Sequence, residues 1–140
     1  LMSLNIFEYV NNLAVDIRKE GDIVFEQDQD SDGKMYFVAE GELAVVREID
    51  GEPHELNRLH PGDFFGEMAI LNHKPRSATV LVTSKQAKLG YLDEPMFMRI
   101  ARINPVFHYS LLKLVIQRIG MIEDSIEIAL HELRELRGDL

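Results

Sequence analysis

Between Ala14 and Leu92 the apolar residues fall into short runs, rich in β-branched and aromatic side chains and separated by glycine and acidic turns. The runs are Ala14–Ile17, Ile23–Phe25, Met35–Ala39, Glu42–Ile49, Glu55–Leu59, Ala78–Thr83 and Ala87–Leu92. Strands at a spacing of roughly ten residues with turn signals between them predict a sandwich, barrel or roll. Gly41, Asp50-Gly51 and Pro61-Gly62 are the clearest turns. After Asp93 the period becomes helical. Asp93 caps a helix over about 93–103, with Glu94 and Pro95 in its first turn and Met96, Phe97, Ile100 and Ile103 on one apolar face. Asn104-Pro105 ends that helix and starts a second over about 105–137, with Gly138 as its stop. At 1.5 Å per residue the second helix is ~48 Å long. Ahead of the strands, Leu4, Ile6, Phe7, Tyr9 and Val10 predict a short amphipathic helical piece within residues 1–12.

The long helix carries a pattern of its own. Leu112, Val115, Ile119, Ile122, Ile126, Ala129, Leu133 and Leu136 alternate spacings of three and four. That is a heptad seam, a strip suited to meet another helix, and it predicts a parallel two-helix homodimer. The alternative is a helix packed on its own strands, a role open to Leu111, Leu114 and Met121, which lie off the seam.

Composition narrows the function. The 140 residues suit one domain, 1–140, with its own core. A net charge of −9 argues against a binder of nucleic-acid backbone, which needs a basic footprint. No window approaches the apolar length of a membrane span, and no basic-then-apolar leader is present. The absence of cysteine excludes disulfides, thiolate catalysis and cysteine-held clusters, and fits a cytoplasmic protein. Met2, not Leu1, reads as the natural start.

The chemistry concentrates in Phe64-Phe65-Gly66-Glu67-Met68-Ala69-Ile70-Leu71, followed by Pro75-Arg76-Ser77-Ala78-Thr79-Val80. Gly66 permits close backbone approach. Amides at the start of a helical turn, here around Glu67 to Ala69, can share an anion's charge. Arg76 can fork two donors onto phosphate oxygens. Glu67, ionised, accepts from a sugar hydroxyl and repels a phosphate. Together they suit a small ligand with both a sugar and a phosphate.

These residues resemble the phosphate-binding cassette of the cyclic nucleotide-binding domain family, F-G-E-x-A-L-L, then R-[S/T/A]-A-x-V. Gly21-Asp22-Ile23-Val24-Phe25, Met35-Tyr36-Phe37-Val38 with Gly41, Pro61-Gly62-Asp63, and Phe97 leading to Asn104-Pro105 extend the likeness over about 5–125. The resemblance implies a mainly β fold with helices. It is an antiparallel β-roll (a double-stranded β-helix, jelly-roll-like) over about 13–92, flanked by short helices and a long C-terminal helix. It further implies a non-enzymatic sensor for cyclic AMP, with cyclic GMP possible. Phe65, Gly66, Glu67, Met68, Ala69, Arg76, Ser77 and Ala78 would form the site. Ser77 beside the arginine is the choice usual in bacterial cyclic-AMP receptors. Aligning on Asn104-Pro105 puts Ile122 and Glu123 where activator proteins place hydroxyl residues that meet adenine, and Arg118 or Asp124 could substitute. The alternative function is a β-roll dimerisation module that has lost nucleotide binding. A cupin-type enzyme lacks its His/Glu metal cluster here. Activators continue into a helix-turn-helix after such a domain, so a stand-alone sensor and a piece of a longer polypeptide both stay open.

Two further features carry less. Asp28-Gln29-Asp30-Ser31-Asp32-Gly33 imitates a calcium loop, but Ala39 stands where a bidentate Glu belongs. An acidic solvated turn, with Asp28 in the left-handed region, is expected instead. His54, His60, His73, His108 and His131 show no helical metal pair, so no metal is expected. His73 and Lys74 would raise the positive potential beside the cassette.

Overall fold

The computed structural model describes residues 13–71 and 73–137, without the side chains of 71, 115, 117–127, 129 and 137. The strands are β1 (Ala14–Lys19), β2 (Ile23–Phe25), β3 (Met35–Glu40), β4 (Leu43–Ile49), β5 (Glu52–Leu59), β6 (Phe64–Phe65), β7 (Thr79–Val82) and β8 (Gln86–Leu92). The helices are α1 (Met68–Leu71), α2 (Glu94–Ile103) and α3 (Pro105–Arg137). Two four-stranded antiparallel sheets form, ordered β1-β8-β3-β6 and β2-β7-β4-β5, which is the expected β-roll.

The strand β3 explains why its sequence is apolar without alternation. Side chains alternate faces along a strand, and both faces of this one are covered. Tyr36 and Val38 enter a core with Phe25, Leu43, Val80 and Leu89, drawn from both sheets. Met35 and Phe37 enter a second core with Phe97, Ile100, Phe107 and Leu111 from α2 and α3. Short β6, a strand the pattern does not predict, divides likewise: Phe64 joins the helices and Phe65 stacks on Tyr36 at 5.2 Å. Its two residues pair with Tyr36 and Phe37, too short a run to show a period.

The turn at Asp50-Gly51 has positive φ at both residues (54° and 80°), as a two-residue hairpin requires. It starts β5 at Glu52, three residues earlier than the apolar pattern suggests, because the outer part of this strand is polar and exposed. Asp93 accepts from the Met96 amide at 2.9 Å and caps α2. Asn104 closes α2, its amide reaching the Ile100 carbonyl at 2.7 Å, and opens α3, its side chain accepting from Phe107 at 3.2 Å. The buried face of α2 is Phe97 and Ile100; Ile103, expected on that face, is 75% exposed where the chain turns into α3.

On α3, Leu111 is buried and Leu114 packs against the helical core, whereas Leu112, Leu133 and Leu136 of the seam are exposed. The side chains of Val115, Ile119, Ile122, Ile126 and Ala129 lie outside the described residues, as does the predicted N-terminal piece. Among the described residues no helix is long and apolar enough to cross a membrane.

Candidate functional site

The chain leaves β6 at Gly66, whose φ of +77° is open to glycine and strained for other residues. A Cβ there would lie 2.8 Å from Nη1 of Arg76, so the glycine also makes room for the guanidinium. Arg76 is the one buried charged residue among those described, 5% exposed. Its Nη1 donates to the Gly66 carbonyl at 3.2 Å, and its Nη2 donates to the Lys34 carbonyl at 2.9 Å and to Asp32 Oδ1 at 2.7 Å. The guanidinium lies over the Phe25 ring, 4.0 Å from its centroid. Of the five guanidinium donors, the Nε–H and one on Nη1 stay uncommitted among the described residues.

The acidic loop before β3 positions Asp32. The Arg76 amide donates to the Gln29 carbonyl at 2.9 Å, and the Asp28 amide donates to the Arg76 carbonyl at 2.7 Å. Asp28 takes the left-handed conformation expected of it, φ 67°. The loop is the exposed acidic turn expected, and Asp32 in addition pairs with the buried arginine. The Tyr36 hydroxyl donates to Asp32 Oδ2 at 3.4 Å; burial first, then the Asp32 carboxylate, pushes this phenol up to about 12.

Beside Arg76 opens a cavity of about 360 Å³, within the range of small-ligand sites. Phe65, Gly66, Glu67, Met68 and Ala69 line it, as do Arg76, Ser77 and Ala78, so the structure brings together all eight cassette residues singled out above. Arg118, Ile122 and Glu123 lie on α3, but their side chains are outside the described residues. One detail of the cassette differs. The Ala69 amide is committed to the Gly66 carbonyl at 3.1 Å and the Ile70 amide to the Glu67 carbonyl at 3.1 Å, since the turn closes on itself. The Ala69 amide is therefore spent within the turn. Lys74 also lines the cavity, whereas His73 pairs with Glu94 of α2 at 3.3 Å.

Sequence reasoning did not assign Phe25, Val45, Asn57 and Leu59 to the site, although all four line the cavity. A signal was available for Asn57, which shares a strand face with apolar Leu59 two residues on. It missed Asp32 as Arg76's partner because 44 residues separate them. Among the described residues no group of three His, Cys, Asp or Glu is placed to hold a metal ion.

Comparison with known proteins bears on this arrangement. The family profile described as "Cyclic nucleotide-binding domain" matches residues 18–104. The cAMP-dependent protein kinase type II regulatory subunit of Drosophila melanogaster is 34% identical over 103 residues, covering 71% of this chain and 27% of that protein. The chain spans about a quarter of the length of the curated relatives it matches. The catabolite activator protein of Thermus thermophilus superposes with a TM-score of 0.77 at 24% identity, over 84% of this chain and 55% of that one, a likeness of fold. The regulatory domain of Toxoplasma gondii PKA, crystallised with cAMP, superposes with a TM-score of 0.60 at 25% identity, over 72% of this chain and 38% of that one.

Proposed function

Because the chain belongs to the cyclic nucleotide-binding domain family, we propose that its cavity captures cyclic AMP in preference to cyclic GMP and that capture is relayed through α2 and α3. The observation that carries the reading is Arg76, a buried cation on the wall of a largely apolar cavity, with two donors uncommitted among the described residues. Either donor, with the guanidinium charge behind it, suits a free oxygen of a cyclic phosphate. Glu67, on the same wall, accepts from the ribose 2′-hydroxyl, and Ser77, exposed to the cavity, adds a phosphate or base contact. A base would meet Val45, Leu59 and Val80 on one side, and the α3 positions Arg118, Ile122 and Glu123 on the other. The adenine choice draws support from the kinase regulatory subunit named above and from the parasite domain crystallised with cAMP.

The relay follows from packing. The cassette turn α1 places Ile70 in the same core as Phe97 of α2 and Phe107 and Leu111 of α3. A ligand that pulls Glu67 and Arg76 together moves that core, and it shifts the helices only as far as it binds the two arrangements unequally. Leu112 and Leu133, exposed on α3, would meet their counterparts in a second chain through the seam. The domain's role is regulatory, and 1–140 acts as one unit without a metal. A second reading, a module that has lost the nucleotide, is favoured by one observation: Asp32 already neutralises Arg76 at 2.7 Å.

Thermal unfolding separates the two. A ligand at a thousand times its Kd adds about 4 kcal/mol of stability. For a chain of this size that raises Tm by about 10 °C. Cyclic AMP at millimolar concentration should produce that rise, and an unchanged Tm favours the second reading.

A further inference from the structure

The lining that β4 and β5 contribute to the cavity is apolar except at Asn57. This residue and Leu59 share one face of β5, and Val45 faces Asn57 across the ladder to β4; all three line the cavity. The register slips beside this pair, since Val45 opposes Asn57 while Val46 opposes Glu55, leaving Leu56 as the extra residue. Such bulges re-aim a neighbouring side chain and recur beside binding sites. Asn57 faces the cavity by the same alternation that places Leu59 there, and the bulge lies immediately beyond it.

Its carboxamide is also held one way round. Asn57 Oδ1 accepts from the Arg58 backbone amide at 2.8 Å. Only an oxygen can accept that bond, so turning the amide end for end gives it up and leaves the Arg58 N–H to water. Nδ2 keeps its donors uncommitted among the described residues, and Oδ1 keeps a second lone pair. The group presents a donor and an acceptor side by side in a fixed sense.

We propose that Asn57 reads the N6/N7 edge of an adenine base, its Nδ2 donating to N7 and its Oδ1 accepting from N6. This inference rests on the nucleotide reading above and assigns the base selectivity of the same site to a residue on the roll. Asparagine pairs with adenine through this edge in nucleic-acid recognition, for the same complementarity of donor and acceptor. Guanine presents O6 where adenine presents N6, so O6 would face Oδ1, oxygen to oxygen. The Arg58 amide opposes the flip that would relieve this. Val45, Leu59 and Val80 supply apolar surface for the purine face.

The test is calorimetry of the wild-type protein, Asn57→Leu and Asn57→Asp with cyclic AMP, 7-deaza cyclic AMP and cyclic GMP. The 7-deaza analogue carries C–H in place of N7. It should bind the wild type roughly tenfold or more weakly than cyclic AMP, the discrimination expected of a paired base edge. In Asn57→Leu that penalty should shrink to about twofold or less, and the preference over cyclic GMP should narrow with it. Asn57→Asp keeps an acceptor for the Arg58 amide but has no donor for N7, so it should lose the 7-deaza penalty as well. Because Asn57 is exposed on an edge strand, both variants should fold. A 7-deaza penalty of equal size in all three proteins overturns this inference alone. A wild-type protein that binds none of the nucleotides overturns the nucleotide reading and this inference with it.

Discussion

Arg76→Ala perturbs two quantities that the structure allows to be separated. In the folded protein the guanidinium makes three hydrogen bonds and one ring contact while 4% of its side chain is exposed. Net contributions near 1 kcal/mol for each hydrogen bond and a similar amount for the ring contact suggest a loss of about 2 to 4 kcal/mol in stability. That corresponds to a Tm about 6 to 12 °C lower. The Gly66 and Lys34 carbonyls lose their donor, whereas Asp32, with 40% of its side chain exposed, returns to water. Binding suffers separately, because the phosphate loses its buried partner: a loss of about 2 to 5 kcal/mol, or roughly 30-fold to several thousand-fold in Kd. Calorimetry below the variant's melting transition measures the second effect free of the first. Arg76→Lys should restore the charge but not the fork, and recover only part of both. If Arg76→Ala melts lower as expected but binds cyclic AMP like the parent, the arginine is structural and the phosphate lies elsewhere.

Gly66→Ala should lower stability by about 1 to 2 kcal/mol through the left-handed backbone and weaken nucleotide binding by displacing the guanidinium, measured by melting and titration on one sample. Glu67→Gln should weaken cyclic AMP more than its 2′-deoxy analogue in calorimetry; equal losses contradict the ribose role. Tyr36 has its folded-state phenol pushed up to about 12 from 10, so its contribution is full below about pH 10 and is lost as pH rises through 12. Tyr36→Phe should remove about 2 to 3 kcal/mol of alkaline destabilisation across that window, read from denaturant unfolding at stepped pH. Leu133→Glu should convert a sedimenting dimer to monomer, because an unpaired charge in an apolar seam is costly; a parent already monomeric at ~100 times the concentrations used for binding contradicts the seam.

Much of the fold was legible because its elements are punctuated by residues with one structural use. Asp93 and Asn104 cap as their types predict, Asp50-Gly51 makes the hairpin, and Gly66 turns the chain at positive φ. The cassette was legible because its residues are consecutive or nearly so. What was not legible depends on long-range placement. Asp32 sits in a loop whose spacing suggests a solvated turn, and only the pairing of Arg76 with Gln29 and Asp28 carries it to the guanidinium. Asn57 lies in the exposed, polar stretch of β5, where its alternation with Leu59 is the only sign that it faces the cavity. Ile103 follows the helical period yet stays exposed, because a period says which face a residue occupies and not where the helix leaves its neighbour.

The central claim is that this cavity holds a cyclic nucleotide through Arg76. Its most direct test is calorimetric titration of the purified chain with cyclic AMP, with Arg76→Ala titrated alongside. The account predicts saturable binding with Kd at or below about 1 μM, near −8 kcal/mol, and its loss in the variant. No saturable heat from the parent at millimolar cyclic AMP or cyclic GMP would contradict it.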